Sequence, residues 1–249
     1  MRIMYSFFAK LKKDTEYLNY GRDYIVQWVN DYIHANEKTD SELRVLDIGC
    51  GTGVDILAVK KIAKNGEFFG VETYQPYIDI LKEKNIQIAS VNIENEELPF
   101  DDGFFDVVLA NQILEHTKEI FWITSEVARV LKSGGIFIIG VPNLASLHNR
   151  ILLLLGKQPS SIRPLSAHIR GFTKNGMKEF VEQGKFFRTI RFAGSNFYPF
   201  PPFLANVFAK IFPTFSVGIF FVFKRTSKEG SYLFESGVET FETNYFKGK

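Results

Sequence analysis

The chain has little of several things. Cysteine occurs once, at Cys50. A lone cysteine excludes an intrachain disulfide and an all-cysteine zinc site, and it fits a reducing compartment. No run of roughly 18 uncharged apolar residues free of proline is present, so no segment reads as a membrane-spanning helix. The N-terminus does not read as a secretory leader, because Lys10, Lys12 and Lys13 interrupt its apolar residues. Charge of one sign is also missing. The formal net charge is +2, which offers no electrostatic case for a nucleic-acid partner. Histidine is scarce, at His34, His116, His148 and His168. No internal repeat or low-complexity tract stands out.

Phenylalanine, by contrast, is abundant, with 26 copies in 249 residues. From Phe192 to Phe223 the only charged side chain is Lys210.

Apolar patterning divides the chain into alternating elements. Residues 4–36 read as helical, with Tyr24, Trp28, Val29 and Tyr32 at helical spacing. Strands are expected at Arg44–Ile48, Glu67–Glu72, Ile86–Ile93, Asp106–Ala110 and Ile136–Val141. Helices are expected at Val54–Lys64, from Pro76 to about Lys84, and at Glu119–Leu131, the last stopped by Ser133-Gly134-Gly135. Near-continuous apolar strands between helices imply a sheet covered on both faces. The fold class expected is therefore α/β, a doubly wound and mostly parallel sheet. Beyond residue 143 a helix over Thr173–Gln183, with Thr173 as its cap, and strands at Phe187–Ala193 and Gly218–Lys224 bring the strand total to seven. The tail after Thr226, with Tyr232, Phe234, Phe241, Tyr245 and Phe246, carries no assignable pattern.

The strongest local signal is Val45-Leu46-Asp47-Ile48-Gly49-Cys50-Gly51-Thr52-Gly53, a strand running into glycines and then a helix. Glycines allow positive φ and a close backbone approach to a ligand, and the helix that follows offers free N–H groups. A dinucleotide site uses G-x-G-x-x-G to hold a pyrophosphate. Here the spacing is G-x-G-x-G, and Asp47 before the first glycine would repel a diphosphate. It suits a ligand bearing an ammonium and a sulfonium. Glu72, ending the second strand, can accept both hydroxyls of a ribose, a contact shared by both cofactor classes.

These residues resemble the first motif of class I S-adenosylmethionine-dependent methyltransferases. Further blocks follow in that family's order: Gly70-Val71-Glu72, Asn92-Ile93-Glu94, Leu98 through Val108, Leu114-Glu115-His116, and Val130 through Gly135. The resemblance is close over roughly residues 40–143 and topological beyond. It implies a Rossmann-like seven-stranded methyltransferase sheet with helices on both faces. It also implies one domain over 1–249, with a helical cap (1–40), a cofactor-binding half (41–143), an acceptor-side half with apolar insertions (144–225) and a tail (226–249). By position, Gly49, Cys50, Gly51, Thr52 and Gly53 would pack on the methionine part of S-adenosylmethionine, with Asp47 near its amino group. Glu72 and Thr73 would hold the ribose, Asn92 and Ile93 would border the adenine, and Asn111 and Gln112 would face the methionine moiety. Asn92 stands where the family usually has Asp.

Methyl transfer from a sulfonium is an in-line displacement, so alignment is the main requirement. A base is needed only for a protonated, weakly nucleophilic acceptor. His116 and His168 are the candidate catalytic residues, with a bracing role as the alternative for each. Arg170 is an anion contact or a loop brace. Cys50 reads as a loop residue rather than a nucleophile. Gln112, Glu115 and His116 would share a helical face, where metal-dependent relatives such as ubiquinone-pathway O-methyltransferases place Glu–Glu–His-type ligands. Gln112 replaces the first carboxylate, so no metal is expected.

The apolar insertions, Leu147–Leu155 and Phe197–Phe215, are compatible with a greasy pocket, a homodimer interface, a membrane-surface patch or plain core packing. Phe200, Phe203, Leu204, Phe208 and Phe212 are expected to form one stripe on a helix, with Ala205 and Ala209 beside it. The function expected is methyl transfer to a small-molecule or lipid-linked acceptor, at oxygen by family frequency. The alternative is a non-catalytic S-adenosylmethionine-binding regulatory protein. The location expected is cytoplasmic, with room for peripheral membrane contact. Nucleic-acid methylation is disfavoured, because Asn111-Gln112-Ile113-Leu114 replaces the Asn/Asp-Pro-Pro-Tyr/Phe-type motif.

Overall fold

The computed structural model describes residues 21–37, 43–235, 246 and 248. The part of the expected N-terminal helix before Gly21 lies outside the described residues, as do Phe241 and Tyr245 of the tail.

The chain begins with α1 (Arg22–Ala35) and continues through β1 (Arg44–Ile48), α2 (Val54–Lys60), β2 (Glu67–Val71), α3 (Gln75–Glu83), β3 (Gln87–Ala89) and β4 (Phe105–Asn111). It goes on through α4 (Ile120–Val130), β5 (Leu131–Pro142), α5 (Leu147–Leu154), α6 (Lys174–Glu182), β6 (Phe187–Ser195), α7 (Pro202–Ile211), β7 (Gly218–Arg225) and α8 (Tyr232–Glu235). The seven strands form one sheet in the order β3-β2-β1-β4-β5-β7-β6. The pairs from β3 to β5 are parallel, and β7 is antiparallel to both of its neighbours. The fold class read from the sequence therefore holds.

Helices cover both faces. On one face α4 buries almost its whole length, Ile120 to Val130, against Phe137, Ile139 and Phe221. On the other, α1 buries Ile25, Trp28, Val29 and Ile33 against Val107, Ile138 and Phe220. The spacing of that second set is one helical stripe. Tyr24 and Tyr32, expected in the stripe, flank it half-buried.

Several boundaries differ from expectation. The third strand stops at Ala89 instead of Ile93, so Asn92 lies in a turn where Asn95 and Glu96 donate back to its carbonyl. The second helix ends at Lys60, four residues short. Ser133-Gly134-Gly135 does not stop α4. Leu131 is already extended and pairs with Phe105, and the next pair is Val107 with Ile136. The glycines sit in that widened register shift, with Gly134 at φ 83°. At α6 Thr173 caps as expected: its Oγ1 accepts from the Gly176 N–H at 3.1 Å.

The tail returns to the body. The Tyr232 hydroxyl donates to the Phe180 carbonyl at 2.7 Å, and the Phe246 ring meets Trp122 edge-on at 4.9 Å.

Candidate active site

After β1 the chain adds β2 and β3 on one side, then crosses to add β4 and β5 on the other. The strand order reverses between β1 and β4, and ligands of such sheets bind at that point, beyond the carboxyl ends of the strands. An open cleft of about 420 Å³ lies there, within the range of small-molecule sites.

The glycine loop forms its floor. Gly49 and Cys50 both donate to the Val71 carbonyl, at 2.9 and 3.2 Å, which ties the loop to β2. Gly51 sits at φ 52° with nothing within 4 Å of where a Cβ would stand. The backbone there is open to a ligand, and a side chain would both strain the turn and fill the cradle. Gly53, at φ 77°, faces the other way, since a Cβ there would meet Leu81 at 2.2 Å. It turns the chain into α2 and does not line the cleft.

Three carboxylates surround this loop. Asp47 is only 3% exposed. Burial pushes its carboxyl well above the usual range, and the neighbouring Asp55 and Glu72 raise it further, against a lowering hydrogen bond from the Ile56 backbone. Asp55 accepts from Arg22 Nε and from Asn111 Nδ2, both at 2.8 Å. Glu72 takes three backbone donors: Gly51 N at 2.9 Å on one oxygen, Thr73 N at 2.8 Å and Tyr74 N at 2.9 Å on the other. A cationic ligand entering here would relieve the crowding that raises Asp47. The chemistry of the donor set thus fits an ammonium and a sulfonium and opposes a diphosphate. Burial, followed by Asp47 and Glu72, also pushes the Cys50 thiol far up, so Cys50 is no thiolate nucleophile.

The far end of the cleft is built by a strained step. Gln112 takes φ 58° and donates its N–H to Gly140 at 2.8 Å. The chain then tightens into a 3₁₀ turn, Leu114–His116. Glu115 is 1% exposed, and among the described residues neither of its carboxylate oxygens has a hydrogen-bond partner, although Oε1 lies 4.0 Å from His116 Nε2. Burial pushes its carboxyl up to about 7. The Glu115 carbonyl accepts from Ile169 N at 2.9 Å and Arg170 N at 3.2 Å, and this brings His168 in from the later loop. The His116 and His168 rings stand edge to face at 4.7 Å. Burial, opposed by the Ala167 carbonyl and assisted by His168, lowers the His116 pKa.

Donor atoms of Glu115, His116 and His168 lie within 4.8 Å of one another. Nδ1 of His116 lies 3.2 Å from the Ala167 carbonyl and Nδ1 of His168 lies 2.8 Å from the Ser161 carbonyl. Each contact favours the tautomer that leaves Nε2 available. The expectation of no metal rested on Gln112 as an absent ligand; the fold brings a third donor, His168, from 52 residues downstream. The trio can hold a proton or a divalent cation.

Of the residues expected at the site, the cleft brings together Asp47, Gly49, Cys50, Gly51, Thr52, Asn111, Gln112, His116 and His168. Glu72 and Thr73 stand behind the loop at the end of β2. Asn92 and Ile93 do not line the cleft: Asn92 Oδ1 accepts from Glu94 N at 3.0 Å, and Ile93 packs on the core. Arg170 braces the loop, donating to the Thr117 carbonyl at 3.1 Å and to that of Lys118. Arg22, Asp55 and Glu115 were not among the expected site residues. Asp55, two residues past Gly53, could have been found as the acid in the helix's first turn; Arg22 had no local signal.

Comparison with known proteins agrees with this geometry. Residues 46–139 match the model of a methyltransferase domain family. An uncharacterised methyltransferase of Schizosaccharomyces pombe is 34% identical over 110 residues, covering 40% of this chain and 38% of that protein. A ubiquinone biosynthesis O-methyltransferase of Pelagibacter ubique is 26% identical over 129 residues, covering 51% and 52%. The chain thus spans about half or less of the length of these relatives. Among solved structures, an S-adenosylmethionine-dependent methyltransferase of Archaeoglobus fulgidus superposes with a TM-score of 0.54 at 18% identity, over 82% of this chain and 94% of that one. Residues 46–139 thus match a methyltransferase domain family, and the chain shares its fold with a solved S-adenosylmethionine-dependent methyltransferase. S-adenosylmethionine is the cofactor of that family.

Proposed function

We propose that the chain transfers a methyl group from S-adenosylmethionine to an oxygen of a small-molecule or lipid-linked acceptor. The observation that carries the oxygen preference is the buried Glu115 carboxyl, free of hydrogen bonds among the described residues and 4.0 Å from His116 Nε2, beside two imidazoles at the open end of a carboxylate-lined cleft. When bound, the cofactor supplies an electrophilic methyl on a sulfonium sulfur, which an acceptor lone pair displaces. Asp47 would hold the ammonium, the Gly49–Thr52 stretch of the loop would pack along the methionine chain, and Glu72 would turn from its backbone donors toward the ribose. Asn111 would stay fixed by Asp55 and form the wall on the β4 side. His116, kept neutral by burial, is suited to take the acceptor's proton on Nε2 while Nδ1–H stays on the Ala167 carbonyl. Glu115, with its pKa near neutrality, can stabilise the imidazolium that forms. The likeness to the ubiquinone biosynthesis O-methyltransferase of Pelagibacter ubique supports a phenol-like, lipid-linked acceptor.

Tritium-labelled S-adenosylmethionine, incubated with the full chain and a cell lipid extract, tests this reading. Label is expected in the solvent-soluble fraction and lost with His116→Asn. Protein that binds S-adenosylhomocysteine but labels no fraction would favour the non-catalytic reading instead.

A second reading rests on the same trio, whose donor atoms lie within 4.8 Å of one another and also suit a divalent cation that orients the acceptor oxygen. Transfer that survives thorough chelation leaves the proton role; transfer lost on chelation and restored by magnesium or zinc establishes the cation role.

A further inference from the structure

The net charge of +2 conceals an asymmetry. Residues 144–215 carry ten Lys or Arg against two acids, Glu179 and Glu182. From 144 to 178 every charged residue is basic. The remainder of the chain is therefore net acidic.

Large apolar side chains of the same region face outward. On α5, Ile151, Leu154 and Leu155 share one face, and Leu154 is 87% exposed. In the loop that follows, Leu165 and Ile169 are exposed. On α7 the buried positions are Ala205 and Ala209, while Phe203, Val207 and Ile211 form a stripe in solvent, Phe203 at 71% exposure. These elements are joined. Leu147 and Phe208 pack in one cluster with Phe197, His148 meets the Tyr198 ring at 5.3 Å, and Asn149 Nδ2 donates to Ser161 Oγ at 3.0 Å. Exposed Arg150, Lys157, Arg163 and Lys210 are interspersed among them. Aliphatic and phenylalanine side chains facing solvent, with only basic charges between them, are the composition of a surface that lies in the headgroup region of an anionic bilayer. No described helix is long and apolar enough to cross a membrane, so contact would be confined to one leaflet.

We propose that the surface formed by α5, the 156–170 loop and α7 docks on an anionic lipid bilayer. The charge asymmetry selects this occupant over a second copy of the chain docked through the same face, whose equally basic surface would repel it. The exposed aliphatics select it over a nucleic acid. His168, held by the Ser161 carbonyl, ties this loop to the cleft, so an acceptor drawn from the bilayer would reach the cleft from the docked side. That last point rests on the proposed methyl transfer; the docking itself does not.

Flotation of the full chain with phosphatidylcholine vesicles, with and without roughly one third phosphatidylglycerol, tests the docking. Binding is expected only to the anionic vesicles and should weaken with salt. The double variant Leu154→Ser/Phe203→Ser and the double variant Lys157→Glu/Lys210→Glu should each lose about tenfold or more of it with unchanged melting curves. Because flotation reads no transfer, failure of docking and failure of the methyl-transfer reading register separately. Wild-type protein that ignores anionic vesicles overturns the proposal. So does binding unaffected by both variants, or a concentration-dependent dimer, or oligonucleotide binding, that either variant abolishes while vesicle binding persists.

Discussion

The inner strands β5 and β7 and the surface helix α7 all carry phenylalanine, and they place their large side chains differently. Phe137, Phe220, Phe221 and Phe223 lie wholly inside, between the helices that cover both faces of the sheet. On α7 the small residues Ala205 and Ala209 are inside, and Phe203, Val207 and Ile211 look out. A strand in the middle of a covered sheet buries both of its faces, so each large side chain finds a partner. A helix lying on the edge strand β6 buries one narrow stripe, and alanines at i and i+4 let it approach closely. Phe208 packs beside them on Phe197, and most of the other positions are left without cover. Apolar content alone thus says little about stability until the burial of each position is known.

Replacing one side chain on each side sharpens that contrast. Phe221→Ala should cost about 3–5 kcal/mol in urea unfolding, whereas Phe203→Ala should fall within roughly 0.5 kcal/mol of wild type. Equal losses would break the distinction drawn here.

The buried charges should behave differently again. With its pKa up near 7, Glu115 binds its proton more tightly in the folded state than in the unfolded chain. Stability should therefore fall as pH rises from about 4.5 to about 7, and the full penalty should stand above that. Glu115→Gln should be up to about 3 kcal/mol more stable than wild type at pH 8 and nearly equal to it at pH 4. A variant less stable at pH 8 would show that the carboxylate has a partner in solution, such as a bound cation.

A smaller effect is expected at the rim of the cleft. Glu72→Ala removes an acceptor for charge-assisted hydrogen bonds and should weaken S-adenosylhomocysteine binding by about tenfold or more in calorimetry. Normal affinity would remove Glu72 from the site. The smallest expected effect is Thr173→Ala, which deletes the cap of α6 and should lower stability by about 1 kcal/mol, with no change in ligand affinity.

Much of the cofactor side was legible because its signals are local. Asp47 through Gly53 form one contiguous turn, and continuous apolar strands report a sheet covered on both faces. The third strand was read too long because Val91 and Ile93 are apolar for a different reason: they pack on the core from a turn. The acceptor side was less legible. The expected stripe of Phe200, Phe203, Leu204, Phe208 and Phe212 has helical spacing, but spacing identifies a face without saying which way it points. Ala205 and Ala209, noted only as neighbours of that stripe, turned out to be the buried face.

By itself the sequence determined the alternation of strands and helices, the glycine turn with its acid, and the likeness of residues 46–139 to a methyltransferase domain. Each is set by residues close together in the chain, where backbone sterics and periodicity act directly. Only the tertiary structure decided the rest. It placed Arg22 on Asp55, carried His168 across to Glu115 and His116, and buried the Glu115 carboxyl with no hydrogen bond among the described residues. It also left one side of α7 in solvent. Contacts between residues dozens of positions apart depend on how packed elements meet, and no local pattern encodes that geometry.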